Sequence, residues 1–184
     1  TKLLLPKFKH GDYVRAVAYS SDGKYITTGD DDGKVLVRDA VTSEIIREFL
    51  VPGYIYSLCY LCNGDLAVGT AKGVVHIFRA AVFEKDKLWK KDLDDRLTEL
   101  AKKGKAEIAE VGAVCATNDG KYIITGSRDN TARLRSLEDS TLKQDFKGHS
   151  DVINSVCTTI DDKFLITGSG DKTARKWSLE DGTM

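Results

Sequence analysis

The chain has 184 residues, 41% of them apolar and 30% charged, with 28 Lys+Arg balanced by 28 Asp+Glu; that length holds one or at most two domains with a sizeable core. A zero net charge goes against a disordered acidic or basic tail and against a dedicated nucleic-acid binder, which carries a basic excess. No run approaches the ~18–20 apolar residues of a membrane span, and Leu3-Leu4-Leu5 is too short for the apolar region of a signal peptide.

Taken in chain order, an apolar segment at 3–8 is followed by Lys9-His10 and an alternating run, Val14-Arg-Ala-Val-Ala-Tyr19, that predicts a half-buried strand. Asp22-Gly23 is a tight-turn dipeptide, because Gly accepts a positive φ and Asp tolerates it. A strand over 25–28, a turn at Asp31-Asp32-Gly33, a strand over 35–38 and a less regular strand over 45–49 follow. The same order then returns. Ser20-Ser-Asp-Gly-Lys-Tyr-Ile-Thr-Thr-Gly29 is matched by Thr117-Asn-Asp-Gly-Lys-Tyr-Ile-Ile-Thr-Gly126 and Thr159-Ile-Asp-Asp-Lys-Phe-Leu-Ile-Thr-Gly168, and more weakly by Leu61-Cys-Asn-Gly-Asp-Leu-Ala-Val-Gly69. Gly29, Gly69, Gly126 and Gly168 are spaced by 40, 57 and 42 residues, so the unit is near 40 residues with an insertion between the second and third copies. Four antiparallel strands per unit cannot bury both faces alone, so the units must stack.

Residues 80–107 break the period. Leu93, Leu97 and Leu100 fall on one helical face, Asp92, Asp94 and Asp95 sit at the start, Lys102 and Lys103 at the end, and Gly104 ends the pattern. This predicts one helix whose charges match the helix dipole. Its leucine stripe either packs on the rim of the stacked sheets or, with Trp89 before it, serves as a partner-binding arm.

Phe146-Lys-Gly-His149, then Thr167-Gly-Ser-Gly-Asp171, then Trp177 resembles the GH…D…W signature of the WD-repeat (WD40) β-propeller family. The resemblance covers nearly the whole chain outside the insertion. It implies an all-β propeller of four four-stranded blades, near 9–49, 50–90, 108–146 and 147–184, with residues 3–8 as a closing strand and one helical insertion, the whole forming a single unit over 1–184. It also implies a hydrogen-bonded tetrad of His149, Thr167, Asp171 and Trp177, with Thr167 or Ser169 supplying the hydroxyl. A buried Asp needs donors, and an imidazole, a hydroxyl and an indole N–H supply them. The other copies depart from the pattern. The first keeps His10, Thr28 and Asp32 but has Arg38 for the Trp. The third keeps Thr125 and Asp129, has Arg135 for the Trp and lacks a clear GH. The second has Val51, Lys72 and Phe78 at the three signature places. One complete tetrad is therefore expected.

Alignment of the copies bears on Cys59-Tyr-Leu-Cys62, whose spacing suits a redox or metal site. Cys59, Cys115 and Cys157 share one repeat position, where the first copy has Ala18. They read as small packing residues rather than ligands. Reduced thiols fit an intracellular, cytoplasmic protein, with the nucleus left open.

Three architectures follow: a piece of a longer propeller of seven or eight blades, a half-ring that pairs with a second copy into an eight-bladed dimer, or a closed four-bladed ring. For function, the expectation is a non-catalytic scaffold that binds partner proteins or peptides on the loop face, since loops on a rigid frame carry binding. Arg15, Tyr56 and Asn154 near the first strands, and Asp30, Thr70, Ser127, Arg128 and Ser169 at the ends of the second strands, are the candidate partner-binding residues. The alternative is a hydrolase or other enzyme with a site in the channel, but His10, His76 and His149 do not cluster and no GxSxG, HExxH or phosphate-binding loop is present. No catalytic residue, cofactor, metal, nucleic acid or membrane is expected.

Overall fold

The computed structural model describes residues 8–80 and 110–184. These form fourteen strands and, among the described residues, no α-helix. The first sheet holds β1 (Val14–Tyr19), β2 (Tyr25–Asp30), β3 (Lys34–Asp39) and β4 (Ile45–Leu50). The second holds β5 (Ile55–Tyr60), β6 (Leu66–Thr70) and β7 (Val75–Phe78). The third is β8 (Val111–Ala116), β9 (Tyr122–Ser127), β10 (Thr131–Ser136) and β11 (Leu142–Lys147). The last is β12 (Ile153–Thr158), β13 (Phe164–Ser169) and β14 (Ala174–Ser178). Every pairing is antiparallel between strands adjacent in sequence. The second and fourth sheets thus show three strands among the described residues, where four per unit were expected. The helix expected within 80–107, with Trp89, and all of the closing strand but Phe8 lie outside the described residues.

The turns follow the dipeptides. Gly23, Gly64 and Gly120 take positive φ of 74°, 83° and 69°. In the fourth copy Asp162 replaces the glycine and takes φ 51°, a region that Asp enters more readily than most residues. Its carboxylate also reaches the preceding sheet, accepting from the Asn118 amide N–H, the Asn118 side-chain amide and the Asp119 N–H, each at 2.9 Å. This clamp is expected to matter: Asp162→Ala should lower stability by about 1–2 kcal/mol. A urea midpoint unchanged from the parent would contradict it.

The sheets stack face to face in chain order, with β1 against β5, β5 against β8 and β8 against β12. The stacking has a repeated joint. A β-carbon on Gly29 would lie 2.5 Å from Ile55 Cγ2, one on Gly69 2.9 Å from Val111 Cγ1, and one on Gly126 2.6 Å from Ile153 Cγ2. At each joint, then, a β-branched side chain from one sheet seats on the bare glycine of the sheet before it. Ile55, Val111 and Ile153 are fully buried there. One apolar cluster spans the first and second sheets, with Val37, Phe49, Leu58, Val68 and Phe78. A second spans the third and fourth, with Ile124, Phe146, Val156, Leu165 and Trp177. A smaller group of Leu61, Ala67, Val114 and Ile123 joins the two. Among the described residues the series of sheets does not close into a ring.

The cysteine expectation needs one correction. All four thiols are free. Cys59 and Cys115 are half-buried under the following sheet, but Cys157, at the same repeat position, is exposed. It belongs to the last of the four described sheets, and among the described residues no sheet follows it. Burial pushes the Cys59 and Cys115 thiols up, the latter strongly, which leaves them poor nucleophiles and ligands.

Candidate functional site

Two features recur along the stack: a buried polar network on β13, with a shorter version on β2, and a row of irregularities at the starts of the first strands.

The buried network is complete in the last sheet. His149 Nδ1 lies 2.7 Å from Asp171 Oδ2 and its Nε2 lies 2.7 Å from Thr167 Oγ1. The Trp177 indole N–H donates to the same hydroxyl at 2.9 Å. The hydroxyl at the centre is that of Thr167. Ser169 instead donates to the Asp151 carbonyl and accepts from the Asp171 N–H.

In the first sheet His10 lies 2.7 Å from Thr28 Oγ1 and 2.7 Å from Asp30 Oδ2. The acid is Asp30, not Asp32, which is exposed. The reason is strand geometry: Thr28 and Asp30 are two apart on β2 and share a face, whereas Asp32 lies in the turn. In β13 the matching position is Ser169, so the turn residue Asp171 folds back to take the role. Arg38 replaces the indole, reaching the Ser43 carbonyl at 3.1 Å and stacking 4.8 Å from the Phe8 ring centre. In the second sheet apolar packing takes over: Val51 and Phe78 are buried and Phe78 meets Phe49 at 4.6 Å between ring centres. In the third, Thr125 is buried with no partner for its hydroxyl among the described residues.

The Asp171 carboxyl is held well below the usual carboxylate range, first by the Thr173 hydroxyl, then by His149 and the Ser150 and Thr173 amides, against the opposing effect of burial. Asp139, bonded by Thr141, is lowered to about 2. Because the folded values are depressed, the stability they confer is present above the unfolded pKa, about 3.9, and is lost as pH falls through the folded value. A urea midpoint that declines below about pH 4 is expected, with a shallower decline in Asp171→Asn. An equally steep decline in that variant would remove Asp171 from the account.

The second feature lies at the loop ends. In every sheet the first-to-second strand register slips at one place: between Val14 and Ala16, Ile55 and Ser57, Val111 and Ala113, and Ile153 and Ser155. The residues left over are Arg15, Tyr56, Gly112 and Asn154. A bulge re-aims its side chain out of the pleat, so Arg15, Tyr56 and Asn154 sit at one repeated place on the loop face. Arg15 forms a two-pronged pair with Asp31, the Nη2 contact being 2.6 Å. Its guanidinium lies 5.8 Å from the Tyr56 ring centre, and Tyr54 meets Tyr56 edge-on at 6.5 Å. Arg128 pairs with Glu110 at 2.6 Å. Burial, then Glu110, pushes the Tyr56 hydroxyl up, while Arg128 and Arg15 pull it down. Tyr56 therefore stays neutral, between two arginines whose charges are already matched.

Three candidate residues are elsewhere than the sequence reading put them. Asp30, Thr70 and Ser127 are fully buried. Asp30 bonds His10, Thr70 donates to the Val74 carbonyl at 3.1 Å and Ser127 to the Glu110 carbonyl at 3.0 Å. Each ends a second strand and secures its own turn, so its side chain points inward. Ser169 is half-buried and engaged in the same way. Tyr13, Tyr54 and Glu110 were missed, although they share one repeat position directly before the first strand. Among the described residues no group of His, Cys, Asp and Glu is placed to hold a metal ion. His76 lies half-buried on β7, and burial pulls its pKa down.

The family model described as "WD domain, G-beta repeat" matches residues 3–39, 103–136 and 140–178. The chain belongs to the WD40 family. The second sheet, where the buried network gives way to apolar packing, falls outside the matched segments. Among curated relatives the chain is similar to Actin-interacting protein 1 of Drosophila melanogaster, 36% identical over 75 residues, covering 35% of this chain and 12% of the relative. It is 36% identical over 86 residues to the U3 small nucleolar RNA-associated protein 18 homolog of Arabidopsis thaliana, covering 45% and 16%. It is 27% identical over 149 residues to guanine nucleotide-binding protein subunit beta-5b of Danio rerio, covering 79% and 35%. The chain thus spans between about an eighth and a third of these relatives. An all-β WD40 repeat array supports a protein-interaction role.

Proposed function

We propose that this WD40 chain is a non-catalytic platform that binds a partner protein or peptide on its loop face, centred on Tyr56 and Arg15. The observation that carries this reading is the bulge repeated at the start of each first strand, which turns Arg15, Tyr56 and Asn154 to one surface. Tyr13 and Tyr54 are exposed beside them. Tyr and Arg supply large contact area at low entropy cost and dominate interface energetics. Arg15 and Arg128 are already paired with carboxylates, so the patch suits a mixed polar and aromatic contact better than a phosphate. Relatives named for interaction with actin and for a G-protein subunit fit a scaffold role. We place the protein in the cytoplasm, where free thiols persist.

The test is selection of a displayed peptide library against the chain, followed by titration of the winning peptides. Tyr56→Ala is expected to weaken binding by about tenfold or more, roughly 1.4 kcal/mol. Val41→Ala, at a fully exposed turn of β3 and β4, should leave it unchanged. Peptides that bind both variants alike would place the interface elsewhere.

A further inference from the structure

One of the four bulges carries no side chain. The residues left over at the register slips are Arg15, Tyr56, Gly112 and Asn154, one per sheet. The third sheet thus puts a glycine where its neighbours put large side chains on the loop face. Gly112 does not take a positive φ, so its backbone conformation does not demand a glycine. A β-carbon built on it would meet the Ile153 carbonyl oxygen at 3.0 Å and the Gly126 carbonyl oxygen at 3.8 Å. Both are main-chain atoms. Apart from its chain neighbours, no side chain of the described residues comes within 4 Å of that point. The row is therefore notched by one side chain. Tyr56 stands on one flank and Asn154 on the other, because β5 packs on β8 and β8 on β12.

The polar groups around this notch are balanced in charge. Arg128 pairs with Glu110, and on the far side of Tyr56 Arg15 pairs with Asp31. Burial raises the Tyr56 hydroxyl most, Glu110 and Asp31 add to that, and Arg128 and Arg15 oppose it. Among the described residues no hydrogen bond engages that hydroxyl or the Asn154 side-chain amide. The floor of the notch is the Ile153 carbonyl, an acceptor with two lone pairs.

These groups select what can enter. An ionised side chain would shed its water into a place with no net counter-charge. A hydrocarbon side chain would cover a phenol, an amide and a carbonyl without pairing them, and each buried polar group left unpaired costs its desolvation. A primary carboxamide is neutral and carries N–H donors and a carbonyl acceptor together. Its N–H groups suit the Ile153 carbonyl and the Asn154 side-chain oxygen, and its own oxygen suits the Tyr56 hydroxyl. We propose that the notch at Gly112 is a specificity subsite of the loop face that takes an asparagine or glutamine side chain of the partner peptide. This rests on the reading of the loop face as a peptide-binding platform. A site built on such bonds rejects the analogue that lacks them.

Peptides enriched from a random displayed library on the 184-residue chain, titrated by fluorescence polarisation, test this. They should share an Asn or Gln at one position. Replacing that residue by alanine, or by the isosteric Asp or Glu, should weaken binding by about tenfold or more. Gly112→Asn gives the third sheet the side chain of the fourth and fills the notch, and should weaken binding about as much, with the far-ultraviolet circular dichroism of the parent. Tyr56→Phe keeps the ring and removes the hydroxyl, so it should erase most of the preference for the amide over alanine. Peptides that need Tyr56 but share no amide, or share a Lys, Arg, Asp or Glu in its place, overturn the subsite and leave the platform standing. So do peptides that bind a folded Gly112→Asn as tightly as the parent, or that keep their full amide preference in Tyr56→Phe. Peptides indifferent to Tyr56→Ala, or no enriched peptide at all, remove the platform and the subsite with it.

Discussion

Replacing Thr167 by valine is expected to lower the stability of this chain by about 2–4 kcal/mol, more than the loss of one buried hydroxyl would suggest. Valine keeps the shape and the strand preference of threonine, so packing against Val156 and Leu165 survives. What goes is the shared acceptor. The Thr167 hydroxyl takes the Trp177 indole N–H at 2.9 Å and faces His149 Nε2 at 2.7 Å, and His149, Thr167 and Trp177 are all buried. After the substitution two ring nitrogens stay in the core without a partner, and an unsatisfied buried group costs its full desolvation. Thr28→Val is the internal comparison. Among the described residues Thr28 serves His10 Nε2 alone, at 2.7 Å, and Arg38 replaces the indole, so about half the effect is expected. Urea midpoints of the two variants measure the ratio. Equal losses would mean that the indole contributes nothing through this bond.

Gly126→Ala should cost about 2–4 kcal/mol, by overpacking. The added carbon would stand 2.6 Å from Ile153 Cγ2 and 3.0 Å from Val156 Cγ1. Both belong to the strand that seats the last sheet on the third, and neither is the free end of a flexible chain. Either the two sheets part or Ile153 leaves its pocket, in a core packed as tightly as an organic crystal. Gly168→Ala is the control, since its added carbon meets only ordinary contact at 3.6 Å within the chain. Thermal unfolding of both variants decides the point. A Gly126→Ala melting temperature within a degree or so of the parent would show that the joint yields, and would weaken the knob-and-seat description with it.

Most of the strand order was legible because two local signals agree in the first three copies, while the fourth has Asp161-Asp162 at the turn. Period-two alternation marks the strands, and the Asp-Gly or Asn-Gly pairs fix where the chain turns. The tetrad residues were legible through the family resemblance: His149, Thr167, Asp171 and Trp177 stand at the places of its GH…D…W signature. Three things were not. Asp30 and Asp32 differ only in being strand or turn, and two acids that close in sequence cannot be ranked until the strand end is known. Thr70 and Ser127 look like loop residues, but Thr70 donates to the Val74 carbonyl of its own turn and Ser127 to the Glu110 carbonyl ahead of the neighbouring strand. The bulge that turns out Arg15, Tyr56 and Asn154 leaves no mark in composition, since it is one extra residue in a register that only pairing reveals. Cys157 shows the limit of aligning repeats: equivalent positions have equivalent burial only where a neighbour follows.

The meander order of the sheets has a consequence for how the chain acquires its structure. Each strand pairs with its neighbour in sequence, and the connecting turns are short. Loop closure within a sheet therefore costs little entropy, and the paired residues inside one lie fewer than about twenty positions apart. Order can begin in any of the four sheets and spread along the stack by adding one joint at a time, as in other linear repeat arrays. Among the described residues the first and last sheets hold one joint each while the middle two hold two. Opening fluctuations of the isolated chain should therefore be concentrated at the extremities of the stack, with the slowest amide exchange in its middle.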